Sequence, residues 1–226
     1  MPLARTRHLI CLVTDGGRLA RTAPGVKLVD LISSACRAGV DLIQIRERNL
    51  EGRALMSLVT QCVAAASGTS TSIVVNDRLD VALAAGAHGV HLRSDSIEPS
   101  RVRERSPAGF IIGRSVHAVE EAVAAERSGG LDYLILGTLF PTESKDPSHG
   151  LTTMTGLAAT CALVSIPVLA IGGITAVRAE GIVKTGAAGI AAIGFFLPDG
   201  GVPLDQHVRA RVSDLRRVFD RCEAVP

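Results

Sequence analysis

The residues best suited to chemistry sit in short polar clusters, each directly after an apolar run. The densest is Pro141-Thr-Glu-Ser-Lys145, in which two hydroxyls (Thr142, Ser144) and one ammonium (Lys145) share a loop. Such a loop can donate several hydrogen bonds to a phosphate or diphosphate. Lysine is scarce in this chain, at three (Lys27, Lys145, Lys184) among 24 basic residues, so Lys145 in a loop bounded by Gly and Pro reads as more than surface charge. Gln44 and Arg46 alternate at the end of another run and so point the same way, with Arg48 continuing the parity as the chain begins to turn. The arginines could clamp a diphosphate or pair with acids on neighbouring segments. Asn76-Asp77 could cap a helix or place a carboxylate on Mg2+ beside phosphate oxygens, and spacing alone weighs the two equally. His117 could shuttle a proton near neutral pH or serve as a hydrogen-bonding residue at a helix start, whereas His91 reads as a satisfied layer histidine.

These clusters require elements that bring them together. Eight short apolar runs recur: Leu9 to Val13, Leu42 to Ile45, Ser72 to Val75, Gly89 to Leu92, Phe110 to Ile112, Tyr133 to Leu136, Val168 to Ile171 and Ile190 to Ile193. Most lack polar alternation, as parallel strands covered on both faces do. Between them lie stretches with apolar residues at three- and four-residue spacing, several ending in glycine, which predict helices. Eight strand–helix pairs in 226 residues, with no linker or break in composition, predict one α/β domain over 1–226, a (β/α)8 (TIM) barrel. An open doubly wound sheet is the alternative, because periodicity does not show closure. In a barrel the polar clusters all fall at the C-terminal strand ends, where such enzymes keep their active sites. Gly172-Gly173 after the seventh run and the glycine-rich eighth run, ending at Ile193 and Gly194, suit a backbone phosphate site.

Composition removes several classes of function. A formal charge of +2 and 3% aromatics, with no Trp, argue against nucleic acid as a partner. No apolar run approaches the roughly 20 residues of a membrane span, and the N-terminal stretch lacks the pattern of a secretion signal, which predicts a soluble, cytoplasmic protein. Five scattered cysteines without CxxC spacing predict buried free thiols rather than a zinc site or disulfides. Nothing fixes the oligomeric state, and a homo-oligomer is compatible with the sequence.

The stretches LIQIRERNL, VVNDRLDVALAAGAHGVHL, IIGRSVHAVEEA, DYLILGTLFPTESK and PVLAIGGI with GAAGIAAI run from about Leu9 to Phe196. In this order they resemble the thiamine phosphate synthases and their sister group, the thiazole tautomerases. The resemblance implies a (β/α)8 barrel and a transferase that joins hydroxymethylpyrimidine diphosphate to thiazole phosphate, releasing pyrophosphate with help from Mg2+. It further implies that Gln44, Arg46, Arg48 and Asn76 face the pyrimidine diphosphate and that Ser115 contacts the pyrimidine. Thr142, Ser144 and Lys145 would hold the diphosphate and Asp77 would ligate Mg2+. Gly172, Gly173 and the backbone around Ile193 and Gly194 would take the thiazole phosphate. Three positions depart from the synthase pattern. HLRSDS stands for the usual HLGQxD, leaving Ser96 in place of a metal-binding Asp, with Asp95 adjacent as a substitute ligand. Arg48 stands for a lysine, and Gly194 for a serine. GRSVH also resembles the tautomerases, whose proton transfer His117 would serve. A tautomerase, or a silent barrel that binds thiazole phosphate, therefore remains an alternative.

Overall fold

A computed structural model describes residues 7–142, 150–198 and 201–223. Eight parallel strands close on themselves in sequence order: β1 (Leu9–Val13), β2 (Leu42–Ile45), β3 (Ser72–Asn76), β4 (Gly89–Leu92), β5 (Ile111–Val116), β6 (Tyr133–Leu136), β7 (Val168–Ile171) and β8 (Gly189–Ala192). The closing seam pairs Leu9 with Gly189 and Cys11 with Ala191. Closure settles the sheet topology in favour of the barrel. Five of the eight strands (β1, β2, β4, β6, β7) coincide with the apolar runs end to end. The largest difference is β5, which continues through Gly113, Arg114 and Ser115 to Val116. Its reading as a strand ends at Ile112 because polar residues follow, yet inside the barrel mouth a polar residue is well placed.

The helices are α1 (Gly16–Thr22), α2 (Leu28–Ala38), α3 (Gly52–Ala66), α4 (Leu79–Ala84), α5 (Pro99–Glu104), α6 (Val119–Arg127), α7 (Met154–Leu163), α8 (Ala176–Val183) and α9 (Leu204–Glu223), with a 3-10 turn at Gly194–Phe196. Helix α2 buries Leu31, Ile32, Ala35 and Cys36 on one face and stops at Gly39, whose φ of 85° lets the left-handed cap form. Helix α9 buries Val208, Val212, Leu215 and Phe219, a stripe at helical spacing, and packs against α2 and α8 to close the outer ring. No helix among the described residues is long and apolar enough to cross a membrane. All five cysteines are free, and Cys11, Cys36 and Cys62 are buried.

Two hydrophobic regions result. Outward strand residues such as Ile10, Ile43, Val75, Val90 and Ile190 pack beneath the helices. Inward ones, Leu9, Cys11, Val13, Leu42, Val74, Ile111, Tyr133, Ile135, Leu169 and Ala191, fill the barrel. At the N-terminal strand ends two carboxylates pin the frame. Asp41 accepts from the Ile10 amide (2.7 Å) and from Arg7 and Arg216, and Asp132 accepts from the Ile112 amide (2.7 Å) and from Arg103. Polar groups at that end therefore hold structure, which leaves the C-terminal ends for chemistry.

Gly113 shows how tightly the interior is filled. A β-carbon there would stand 2.1 Å from Cζ of Tyr133 and 2.6 Å from its hydroxyl oxygen. Overpacking of this kind costs about 1–3 kcal/mol. Gly113→Ala should lower the free energy of unfolding by that amount in urea titrations, and an unchanged midpoint would mean that the ring can swing aside.

Candidate active site

The mouth opens into a cavity of about 1390 Å3 to which every strand but β4 contributes a residue directly, with the β4–α5 loop adding Arg93, Ser94 and Asp95. Among the described residues its walls carry seven arginines (Arg18, Arg46, Arg48, Arg78, Arg93, Arg178, Arg211) against four carboxylates (Glu47, Glu51, Asp77, Asp95). A cleft so lined attracts and concentrates anions.

Its floor is a polar layer. On β2 Gln44 is buried and donates from Nε2 to Oδ1 of Asn76 on β3 at 2.8 Å. On β4 the buried His91 bonds the Tyr133 hydroxyl through Nδ1 and Ser115 Oγ through Nε2, both at 2.9 Å. Inward parity (44, 76, 91, 115) places all of these on the barrel axis side. Burial pushes the His91 imidazole down to about 3, so the ring is neutral and acts as a hydrogen-bonding spacer below the reacting groups. Its reading as a satisfied layer histidine holds.

Above the floor the charged residues spread around the rim. Arg46 follows β2, its amide donating to Thr14 Oγ1 at 2.8 Å, while Arg48 lies exposed in the turn beyond. Between them Glu47 folds back across β1, accepting from Thr14 Oγ1 at 2.6 Å and from the Gly16 amide at 3.0 and 3.1 Å. Desolvation is the dominant influence on this carboxyl and raises it above the usual range, against the pull of those hydrogen bonds. Glu47 thus ties the start of α1 to the end of β2.

Asn76 and Asp77 do not cap a helix. Asn76 is the last residue of β3, Asp77 adopts φ 59°, and α4 starts at Leu79 with Arg78 at its cap position and no side-chain capping bond. A left-handed conformation at a non-glycine residue is costly and marks a place where the side chain's aim matters. Asp77 accepts from Ser96 Oγ and lies 3.8 Å from Arg93 Nη1. Asp95 instead pairs with Arg93 at 2.5 Å, exposed to solvent, so its carboxylate is directed at a guanidinium and not toward Asp77.

Among the described residues no three His, Cys, Asp or Glu side chains form a ready-made cage. Mg2+ rarely needs one: one or two carboxylates with water and substrate phosphate suffice. Asp77 with the Ser96 hydroxyl beside it can supply that share.

His117 stands on the rim with Nδ1 donating to the Gly137 carbonyl at 2.5 Å, which in the neutral ring leaves the lone pair on Nε2. Thr142 lines the same cavity, whereas Ser144 and Lys145 lie outside the described residues. At the far side Gly172 (φ 109°) and Gly173 (φ 59°) follow β7 in conformations that suit glycine, and Ile193 and Gly194 follow β8. Two residues that sequence reasoning passed over also line this part, Arg18 from α1 and Arg211 from α9. Arg18 directly follows the polar Thr14–Gly17 cluster after β1, Arg211 lies on the last helix, and closure brings both to the mouth.

The profile of the thiamine monophosphate synthase family matches residues 10–196. The chain belongs to this family. Its relatives include the thiamine-phosphate synthase of Methanoculleus marisnigri, 40% identical over 173 residues, covering 76% of this chain and 82% of the relative. That of Roseiflexus castenholzii is 37% identical over 196 residues, covering 85% and 82%. Among solved structures, a thiamine phosphate pyrophosphorylase from Pyrococcus furiosus superposes with a TM-score of 0.79 at 31% identity, covering 96% of this chain and 98% of that one. Of the residues that line the cavity, all but Leu197 and Arg211 fall within the matched stretch.

Burial of a neutral histidine makes stability depend on pH. In the unfolded chain His91 titrates near 6.5 and in the folded one near 3, so between these values the unfolded state binds the extra proton. The contribution is fully present above pH 6.5 and is lost on acidification toward 3, at up to about 1.4 kcal/mol per pH unit. His91→Gln cannot titrate, so the gap between wild type and variant in unfolding free energy should narrow steadily from pH 7 to pH 4.5. A gap independent of pH would show that the histidine is not held neutral.

Proposed function

We propose that this chain is a thiamine-phosphate synthase, a transferase that couples hydroxymethylpyrimidine diphosphate to thiazole phosphate and releases pyrophosphate. The observation that carries the reading is the arginine-lined cavity, wide enough for two phosphorylated substrates side by side, in a chain whose relatives bear that name. Joining the substrates forms a carbon–nitrogen bond from the thiazole ring nitrogen to the methylene carbon of the pyrimidine. The carbon–oxygen bond to the diphosphate breaks, and its electron pair leaves with pyrophosphate.

The site supports a division of labour. Ser115, on the polar floor and oriented by His91, meets the pyrimidine together with Gln44 and Asn76. Arg46 and Arg48 face the diphosphate from β2 with Thr142 across the cavity, and the family resemblance assigns Ser144 and Lys145 to the same group. Negative charge gathers on the leaving diphosphate in the transition state, so cations fixed there in advance stabilise it more than the ground state. Mg2+, when bound, would supply further charge neutralisation at the same oxygens. Asp77, with Ser96 beside it, would hold it, while Asp95 belongs first to its ion pair with Arg93. Gly172, Gly173, Ile193 and Gly194 offer backbone to the phosphate of the thiazole, which keeps its ring nitrogen turned toward the pyrimidine.

One observation favours a second reading. His117 lines the cavity with Nδ1 held on the Gly137 carbonyl, where a thiazole phosphate tautomerase would require a proton carrier. The two activities separate experimentally. Purified protein incubated with both synthase substrates and Mg2+ should form thiamine phosphate and pyrophosphate, and EDTA or Asp77→Asn should suppress the rate strongly because the amide lacks the carboxylate's charge. Undiminished coupling in EDTA would remove the metal from the mechanism.

Two further substitutions distinguish the enzymes. Lys145→Ala should lower kcat for coupling by about 10²-fold or more, as does loss of one preorganised electrostatic donor, and should leave a tautomerisation nearly untouched. His117→Ala should slow a tautomerisation by about 10²–10⁴-fold and coupling only modestly. A protein that fails to couple but isomerises the thiazole, and loses that on His117→Ala, would be a tautomerase.

A further inference from the structure

The end of β8 holds a contact that the motifs do not announce. If residue 194 bore a β-carbon, it would stand 2.9 Å from both Nη1 and Nη2 of Arg18 and 3.0 Å from Cζ. The guanidinium therefore occupies the space that a side chain at 194 would fill, face against the backbone of the 3-10 turn. Both residues line the cavity. Arg18 reaches this point because α1 is fastened at its start: Asp15 caps it through the Arg18 amide at 2.8 Å, and Glu47 grips the Gly16 amide.

Other polar side chains at this end make contacts of their own. Arg178 donates from Nη1 to the Gly173 carbonyl at 2.6 Å and lies over the Phe140 ring, 4.3 Å from its centroid. Arg211 lies over the Phe195 ring at 5.5 Å. Thr175 spends its hydroxyl capping α8 through the Arg178 amide. Backbone amides after β7 and β8 are neutral donors, and a phosphate monoester bound there carries nearly two negative charges at neutral pH. A planar guanidinium over Gly194 adds positive charge at that place.

From this geometry we propose that Arg18 is a substrate-binding residue for the phosphate group held between Gly172–Gly173 and Ile193–Gly194, and that glycine at 194 is what admits it. In the reading above that group belongs to the thiazole phosphate, so Arg18 sets affinity for one substrate and not the other. The proposal rests on that reading for the identity of the ligand, though not for the presence of an anion site.

Steady-state coupling would be measured for wild type, Arg18→Ala, Arg18→Lys and Gly194→Ala, with each substrate varied in turn. Arg18→Ala should raise KM for thiazole phosphate by about 10–100-fold, the range for a lost hydrogen bond to a charged group, with KM for the pyrimidine diphosphate within about twofold of wild type. Arg18→Lys should recover part of the loss. Gly194→Ala, which displaces the guanidinium, should give the same one-sided rise. An unchanged KM for thiazole phosphate, or an equal rise for both substrates, would overturn the proposal. Calorimetric titration with inorganic phosphate keeps it testable apart from the reaction. Wild type should bind phosphate and Arg18→Ala should lose most of that affinity, whether or not coupling is seen. Equal phosphate binding by the two proteins would overturn the proposal, and absence of coupling in wild type would overturn the functional reading alone. Far-ultraviolet circular dichroism on each variant identifies misfolding, in which case Arg18→Lys carries the comparison.

Discussion

Closure of the barrel is the constraint from which the site follows. At the seam Gly189 lies so close to β1 that a β-carbon would stand 2.1 Å from the Leu9 carbonyl oxygen. That glycine lets β8 hydrogen-bond to β1 in the register that pairs Leu9 with Gly189 and Ala192 with Leu12. Side chains alternate along every strand, so register decides which set faces inward. A slip of one residue would turn Gln44, Asn76, His91 and Ser115 out beneath the helices and bring Ile43, Val75, Val90 and Arg114 into the lumen. The register of β2 to β5 thus determines that the interior has a polar floor at all.

That floor marks a transition along the barrel axis. Below it the lumen is apolar, with Leu9, Leu42, Val74, Ile111 and Leu169, and above it the rim is charged. The groups between are polar yet uncharged: a neutral His91, a Tyr133 whose phenol burial keeps protonated, the Gln44–Asn76 pair and Ser115. Burying such groups costs little once each has a hydrogen-bond partner, whereas charged groups at the same depth would be costly. Repulsion among the rim arginines is the complementary cost of the anion site, relieved in part by Glu47, Asp77 and Asp95 and further by a bound anion.

What could be read from the sequence follows from this arrangement. Strands that are apolar on both faces are visible as runs, and so β1, β2, β4, β6 and β7 have the bounds their residues suggest. The polar half of β5 hides its continuation, because Arg114 and Ser115 resemble a loop until the lumen is known to be polar there. Asn76-Asp77 has the composition of a helix cap, and only the φ of Asp77 shows that the pair ends a strand and aims a carboxylate. Glu47 and Arg18 were not legible as site residues. Their meaning lies in Gly16 and Gly194, 31 and 176 residues away in sequence, and no local pattern encodes contacts between segments so far apart.

The three departures from the synthase pattern share a physical direction. At 48 an arginine stands for a lysine. At 96 a serine replaces a carboxylate, and nearby Arg93 comes within 3.8 Å of the remaining Asp77. At 194 a glycine removes a hydroxyl, and the Arg18 guanidinium fills the vacated space. Each change moves anion binding from a compact ammonium, a metal-binding acid or a neutral hydroxyl toward a planar, permanently charged fork. Guanidinium is more weakly hydrated than ammonium and bonds phosphate oxygens in pairs, so it retains directionality at a solvated rim where a point charge would be screened. With serine at 96, Asp77 has the Arg93 guanidinium as its charged neighbour. The mouth of this barrel is therefore best understood as one electrostatic unit in which the departures compensate one another, and not as an intact site with three defects.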